Sequence, residues 1–202
     1  MIRELYEKLN SESFQSHHGV AYNFHIVPYD VREEKRVFED IAHVVEDIRR
    51  PTDFIDILSI DLFGAFLEHL AAKPFGRGRK LRDHLLAADA AANDEPAHAN
   101  ISRILSREAH DRAFLDFVFD KVKAHFGQPQ GQLKRPYVFF YGIGQMYPYL
   151  RANEFLTAYE KVNDASRYRV ILFYPGTMRN GMLSLFGLLD DRNTYRAQIL
   201  EI

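Results

Sequence analysis

The chain of 202 residues contains neither cysteine nor tryptophan. The absence of cysteine excludes disulfide scaffolds, thiol nucleophiles, thiolate zinc sites and iron–sulfur ligation. Long apolar runs are also missing, since no segment approaches the roughly 20 apolar residues of a membrane-spanning helix. Glu4, Glu7 and Lys8 interrupt the stretch that a signal peptide keeps apolar. We therefore expect a cytoplasmic protein.

Neither sign of charge dominates the composition. With 26 basic and 28 acidic residues the formal net charge is -2, which does not indicate a binder of nucleic acid or of anionic membranes. The chain is 47% hydrophobic and 27% charged, as in globular proteins, and its length suits one domain with a substantial core. We predict a single domain over residues 1–202.

Apolar periodicity in the first third of the chain alternates between strand and helix. Phe24 to Tyr29 is a short apolar run, and Val37 to Ile48 carries apolar residues at the spacing of a helix buried on one face. A second strand is predicted over Phe54 to Ile60, followed by a helix in LFGAFLEHLAA. This order predicts parallel strands joined by crossover helices.

Two aromatic runs dominate the second half of the sequence. Tyr137 to Tyr141 and Arg169 to Tyr174 are continuous apolar segments, typical of strands covered on both faces. Leu150 to Val162 predicts a helix between them, and Tyr195 to Ile202 a last strand. The predicted fold is an α/β domain with a mostly parallel, Rossmann-like or degenerate P-loop-like sheet of about five strands, and with a mostly helical insertion at about 73–130.

The loops after the two aromatic strands are the first candidates for a ligand site, because ligands of open α/β sheets bind beyond the carboxyl ends of strands. Gly142, Gly144 and Gln145 follow the first of these strands, and two glycines there could let a phosphate approach backbone N–H groups. Tyr147 replaces the third glycine of the dinucleotide fingerprint. A tight strand-to-helix turn is therefore the alternative.

The loop after the second aromatic strand carries Gly176, Arg179 and Asn180. The planar guanidinium of Arg179 suits a carboxylate or a phosphate, which could belong to a ligand or to a partner protein. The alternative is an ordinary solvated arginine in a glycine-rich loop.

A basic stretch forms a local positive patch despite the acidic total. Between residues 73 and 82 there are five basic residues and no acid: Lys73, Arg77, Arg79, Lys80 and Arg82. Such a patch could hold a nucleic-acid backbone or an acidic partner. The alternative is a solvated loop.

Strong catalytic motifs are absent from the sequence. There is no Walker A loop, no H-E-x-x-H and no G-x-S-x-G, and the nine histidines have no metal-ligand spacing. Asp30 and Asp61 lie at strand ends, where they could bind magnesium or act as general bases, but helix N-capping is the alternative. Asp53 flanks the predicted second strand as well, and Asp56 interrupts it. We expect no enzymatic activity, no metal and no cofactor.

The chain resembles the BrxB family of BREX phage-defence operons. The resemblance covers nearly the whole chain and depends on FHIVPYDVREEKRVFEDI, DILSIDLF, YVFFYGIGQMYPYLR and RVILFYPGTMRNG, of which the last two are the most distinctive. None of these segments is a catalytic motif, so the resemblance assigns no catalytic residue.

The resemblance implies a component of a defence system that blocks phage replication while methylation marks the host genome. Related operons encode a methyltransferase, a large ATPase and PglZ, an alkaline-phosphatase-like protein. A small member without a recognisable active site is expected to be an adaptor or scaffold, with PglZ as its main contact and other BREX proteins as further partners. The alternative is a nucleotide- or DNA-binding module of the same complex.

Overall fold

Five parallel strands form the central sheet of the protein. The structure is a computed structural model that describes residues 2–16, 23–47, 55–76, 78–127, 136–163, 167–179, 182–191, 197–200 and 202. Its strands are β1 (Phe24–Tyr29), β2 (Ile57–Asp61), β3 (Pro74–Phe75), β4 (Arg79–Lys80), β5 (Tyr137–Tyr141), β6 (Arg169–Arg179), β7 (Met182–Leu185), β8 (Leu189–Asp191) and β9 (Gln198–Ile199).

The strand order of the sheet is β2-β5-β6-β1-β9, and all four pairings are parallel. The two aromatic strands, β5 and β6, occupy central positions with Tyr137 opposite Arg169 and Phe140 opposite Leu172. Every residue of β5 before Tyr141 is buried, as expected for a strand covered on both faces. The predicted α/β fold with a mostly parallel sheet of five strands is confirmed.

Helices cover both faces of this sheet. They are α1 (Ile2–Asn10), α2 (Glu12–Ser16), α3 (Glu34–Asp47), α4 (Leu62–Ala72), α5 (Leu81–Ala91), α6 (Glu95–Ala109), α7 (Arg112–Phe126) and α8 (Ala152–Glu160), with short 3-10 turns at 31–33 and 143–146. One core contains α4 to α8, and the other contains α1 to α3. Strand alternation divides the side chains between them, so that Val138 faces the first core and Phe139 the second.

Element boundaries differ from the sequence prediction in the second half of the chain. The predicted helical insertion contains a break between α6 and α7, because Asp111 caps α7 by accepting a hydrogen bond from Ala113 N at 3.0 Å. The last strand is two residues long. The predicted start of the second strand at Phe54 lies outside the described residues.

The largest difference is in β6, which continues five residues past the predicted end at Tyr174. Beyond that point β6 leaves the parallel sheet and pairs antiparallel with β7, which pairs in turn with β8. Pro175 and Gly176 are poor strand residues, so the sequence pattern predicted a loop. In the structure the carbonyl of Pro175 accepts a hydrogen bond from Phe186 N at 2.8 Å, and the hairpin holds both residues in place.

Candidate functional site

The glycine turn after β5 closes against the end of β2. Gly142 has a φ of 76°, in the left-handed region, and a Cβ placed on it would lie closer than 3.0 Å to the carboxylate of Asp61. Asp61 Oδ1 accepts a hydrogen bond from Phe63 N at 3.1 Å and so caps α4. Gly142 therefore gives the capping carboxylate the room that it needs.

Gly144 lies beneath side chains of the β6–β7–β8 extension. A Cβ placed on it would be 2.5 Å from Pro175 Cγ and 3.2 Å from Phe186 Cε1. Phe186 adopts a φ of 56°, unusual for a bulky residue, and its ring meets that of Tyr147 edge-on at 6.1 Å. The glycine turn at 142 and the extension of β6 at 175 thus converge, but they meet through packed side chains and not in an open cleft.

Backbone donors of the glycine turn are engaged within the turn itself. Gln145 N donates to Gly142 O at 3.1 Å, and Tyr147 N donates to Gly144 O at 3.2 Å. The side chain of Gln145 is exposed. This geometry favours the tight turn over the phosphate-binding loop, because both amides already have acceptors.

Gly176 and Arg179 both lie in β6, and not in a loop. A Cβ on Gly176 would lie 2.7 Å from Tyr174 Cε1 and would overlap the backbone carbonyl of Ser184, so glycine is required for β7 to approach. Arg179 is the last residue of β6 and pairs with Met182. The Arg179 side chain and the whole of Asn180 lie outside what the structure describes, and their roles stay predictions.

The aspartates at the strand ends act as caps. Asp30 accepts a hydrogen bond from Arg32 N at 3.0 Å, and hydrogen bonds from the Arg32 guanidinium are the main reason that the pKa of Asp30 falls to about 2. The buried Asp56 pairs with His125, with 2.8 Å between Oδ1 and Nε2. Asp53 lies outside the described residues.

Two tyrosines at the same edge of the sheet have a raised pKa. Burial is the main cause for Tyr29, followed by the charge of Glu34, whose Oε1 accepts a hydrogen bond from the phenol at 3.0 Å. Burial is again the main cause for Tyr141, followed by the charge of Asp61. Both phenols therefore remain protonated at neutral pH.

The basic stretch forms a small antiparallel hairpin, β3–β4, whose base is anchored by Lys73. The Lys73 ammonium contacts Glu108, which is only 2% exposed, and lies 3.3 Å from Asp111 Oδ2. Hydrogen bonding to Glu108 is the main cause of a raised Lys73 pKa. The positive charge of Lys73 is thus neutralised by the buried Glu108 and the partly exposed Asp111, so this residue does not contribute to an open basic patch.

The other basic residues of the stretch are more accessible. Arg79 and Lys80 are exposed on β4, where Lys80 Nζ donates to Ala72 O at 3.3 Å. Arg82 pairs with its neighbour Asp83. Arg77 lies outside the described residues. Sequence analysis did not single out Phe75, which lies among these basic residues. Its ring stacks on His84 with 4.0 Å between ring centroids, and Phe75 is 37% exposed.

The antiparallel extension β6–β7–β8 exposes apolar side chains. Met178 is 38% exposed, Met182 46% and Leu188, in the turn between β7 and β8, 83%. Alternation along the paired strands puts Met178 and Met182 on opposite faces, so each face of the hairpin carries an exposed methionine near its end. We call these two methionines the apolar tip.

A cavity of about 230 Å³ lies between α7 and α8. His110 and Glu154 meet across it with 3.3 Å between Nε2 and Oε2. The volume is below the roughly 300 Å³ of the smallest typical ligand pockets, and it suits one inserted side chain. The lining residues are Ala109, His110, Asp111, Arg112, Phe114, Leu115, Leu150, Glu154, Phe155, Ala158 and Lys161. No sequence pattern could predict it, since its walls are about 40 residues apart.

In the described part of the chain, no group of three or more histidine, aspartate or glutamate side chains is arranged to hold a metal ion. None of the helices described is both long enough and apolar enough to cross a membrane.

Comparison with known proteins identifies one family. A family model described as "BREX protein BrxB" matches residues 58–200. A curated protein from Bacillus cereus (strain H3081.97), named "BREX protein BrxB", is 26% identical over 198 residues, which make up 97% of this chain and 93% of the relative. No solved structure matches the chain.

Proposed function

The chain belongs to the BrxB family of BREX phage-defence components, and from this membership we propose that it is a non-enzymatic adaptor that binds PglZ through its β6–β7 hairpin. Other BREX proteins are then further partners of the same assembly. The observation that carries the proposal is the apolar hairpin tip, formed by Met178 and Met182.

The tip has the chemistry of an interface core. Methionine is flexible and polarisable, adapts to irregular partner surfaces, and is enriched at the centres of protein interfaces. Two of the four methionines in the chain are exposed here. Burial of Met178, Met182 and Leu188 against a partner would contribute on the order of 5 kcal/mol, a substantial part of the roughly 8 kcal/mol of a micromolar complex.

The hairpin is held rigidly enough to present this tip. Leu183 and Leu185 of β7 are buried in the main core, and the Phe186 ring packs over Gly144. A rigid element loses little conformational entropy on binding, which favours affinity.

The strand-end groups support a non-enzymatic role. Asp30 and Asp61 are engaged as caps of the segments that follow them. Tyr29 and Tyr141 are held in the protonated form by burial and by neighbouring carboxylates. Asp30 and Asp61, which sequence analysis considered as general bases, thus each have a structural task.

The adaptor proposal is tested by a charged tip. We expect Met178→Glu/Met182→Glu to weaken binding to PglZ of the same operon at least about tenfold, because the tip would carry charge into a desolvated contact. Leu86→Glu is the matched control, since Leu86 is 63% exposed on α5, and it should bind as the unsubstituted protein does. Titration calorimetry measures the Kd values.

Two results would contradict the adaptor proposal. One is the lack of any complex between the unsubstituted protein and PglZ at micromolar concentration. The other is equal binding by the tip variant and the Leu86 control, which would put the contact elsewhere. Urea unfolding of each variant verifies that the fold is retained.

Nucleic-acid binding within the same complex is a second proposed function. The alternative from sequence analysis, a nucleotide- or DNA-binding module, is favoured on its nucleic-acid side by the exposed cations of the β3–β4 hairpin. Its nucleotide side has less support, because the amides at 145 and 147 are engaged within their own turn.

A further inference from the structure

The β3–β4 hairpin combines an exposed aromatic ring with accessible cations. Phe75 and Arg79 are directly paired across the hairpin, so their side chains share one face. The ring of Phe75 stacks on His84 with an interplanar angle of 16°, and Phe75 is still 37% exposed. One face of the ring is therefore backed by an imidazole, which leaves the other face for a partner.

The tip of the hairpin stands clear of the rest of the described protein. Gly76 and Gly78 have positive φ values of 32° and 75°, and a Cβ placed on either would meet nothing within 4 Å. These glycines serve the turn conformation and do not make room for a neighbouring group. Both glycines are exposed, so the described part of the turn leaves space for a ligand at that end of the hairpin.

The charge of the hairpin is available to an anion. In the described structure the Arg79 side chain has no hydrogen bond or ion pair, and the bond from Lys80 to Ala72 O is a single exposed one. Lys73 keeps the base of the hairpin fixed through its contact with Glu108. The base of the hairpin is thus fixed in position. In the described structure neither Arg79 nor Lys80 forms an ion pair with an acidic side chain.

We propose that the β3–β4 hairpin binds single-stranded nucleic acid, with one base stacked on the open face of Phe75 and a flanking phosphate held by Arg79 on the same face. The strand would then cross the edge of β4, so that a second phosphate meets Lys80 on the opposite face. The inference rests on the second proposed function, nucleic-acid binding, and is independent of the adaptor role. Stacking on an aromatic ring beside backbone cations is the usual way in which proteins hold single strands without sequence preference. In a duplex the bases are already stacked on each other, so the ring has no base to receive.

The test is fluorescence anisotropy with three labelled probes. They are an oligodeoxythymidine of about 20 nucleotides, a DNA duplex of the same length and a polyglutamate of the same length. We expect the single strand to bind most tightly at low salt. Phe75→Leu keeps an apolar contact with His84 but removes the flat ring, and it should weaken the single-strand complex at least about fivefold.

The charge variant and its control separate phosphate contacts from general charge. Arg79→Ala/Lys80→Ala should lower the slope of log affinity against log salt by about 1.4, or about 0.7 for each lost phosphate contact. Arg3→Ala/Lys35→Ala removes the same charge from exposed sites on α1 and α3, in the opposite helical layer, and should leave the slope unchanged.

Each other outcome overturns a defined part of the proposal. If the duplex binds as tightly as the single strand, or if Phe75→Leu has no effect, nucleic-acid binding stands but the stacking site is wrong. If polyglutamate binds as tightly as the single strand, the hairpin is a site for acidic protein segments. If Arg3→Ala/Lys35→Ala lowers the salt slope as much as the hairpin pair does, the hairpin is not the phosphate-binding site. If no nucleic acid binds at low salt, both the stacking site and the second proposed function fail.

Discussion

Two Gly-x-Gly segments of this chain lie in opposite environments. Gly142 and Gly144 are buried at the carboxyl edge of the sheet, where an added Cβ would collide with Asp61, Pro175 or Phe186. Gly76 and Gly78 are exposed at the tip of the β3–β4 hairpin, where an added Cβ would meet nothing. The first pair makes close packing possible, whereas the second pair only supplies backbone conformations that other residues rarely adopt.

This difference reverses the expectation from sequence patterns. A glycine pair after a buried strand is the pattern associated with phosphate binding, yet here it lies under packed side chains. The pair without such a pattern is accessible and lies beside unpaired cations. Glycine spacing therefore identifies positions of unusual backbone conformation or close packing. The surrounding side chains decide whether a ligand can bind there.

The largest expected effect tests the packing side of this comparison. Gly144→Ala should lower the free energy of unfolding by about 3 kcal/mol, because Pro175 is a rigid ring that cannot move away from the new methyl group. Gly78→Ala is the matched control, and its left-handed φ should cost about 1 kcal/mol. Urea unfolding measures both. Equal losses of unfolding free energy in the two variants would mean that Pro175 and Phe186 do not pack tightly against Gly144.

The next effect concerns the base of the open hairpin. Lys73→Met should cost about 2 kcal/mol, because Glu108 would remain buried with only the partly exposed Arg107 as its ion-pair partner among the described residues. Lys80→Met, at an exposed position of the same hairpin, should change stability by less than about 0.5 kcal/mol. Chemical denaturation distinguishes the two. A Lys73 variant as stable as the Lys80 variant would contradict the anchoring role.

The smallest effect is a pH dependence at the same base. Asp111 has a lowered pKa, first because Ala113 N donates to its carboxylate and then because of Lys73. A carboxyl with a lower pKa in the folded state adds stability at neutral pH and loses it as the pH falls below about 4. Asp111→Asn keeps the cap but cannot titrate. We expect it to be less stable by under about 0.5 kcal/mol at pH 7, with a shallower acid loss.

Unfolding free energies measured between about pH 3 and 7 test this expectation. Parallel curves of unfolding free energy against pH for the variant and the unsubstituted protein would mean that the ionisation of Asp111 does not contribute to the loss of stability at low pH. Asp116→Asn on α7 is a suitable comparison, since its partner Arg112 is an exposed i,i+4 neighbour.

The fold was largely predictable because its signals are local. The continuous apolar runs of β5 and β6, and the helical period of α3, predicted buried parallel strands and amphipathic helices from neighbouring residues alone. The break between α6 and α7 was missed even though its signal, the Asp111 cap, is also local. The preference for aspartate at helix N-caps could have predicted the start of α7 after Asp111.

The candidate surfaces were less predictable because they depend on distant contacts. The extension of β6 requires Phe186 to hydrogen-bond Pro175, which the residues around Pro175 do not foretell. The stack of Phe75 on His84 requires the chain to turn at Gly76 and Gly78 and then enter α5. The neutralisation of Lys73 requires α6 to bring Glu108 against the hairpin base.

The sequence by itself determined the class of fold, the lack of thiol chemistry and the family resemblance, because composition and local periodicity need no knowledge of distant neighbours. Only the tertiary structure decided which glycines are packed and which are open, and which cations are neutralised. Those properties depend on side chains that are remote in sequence and meet only when the sheet and its helices are assembled. For this protein, the accessibility of the candidate binding groups therefore could not be derived from the sequence alone.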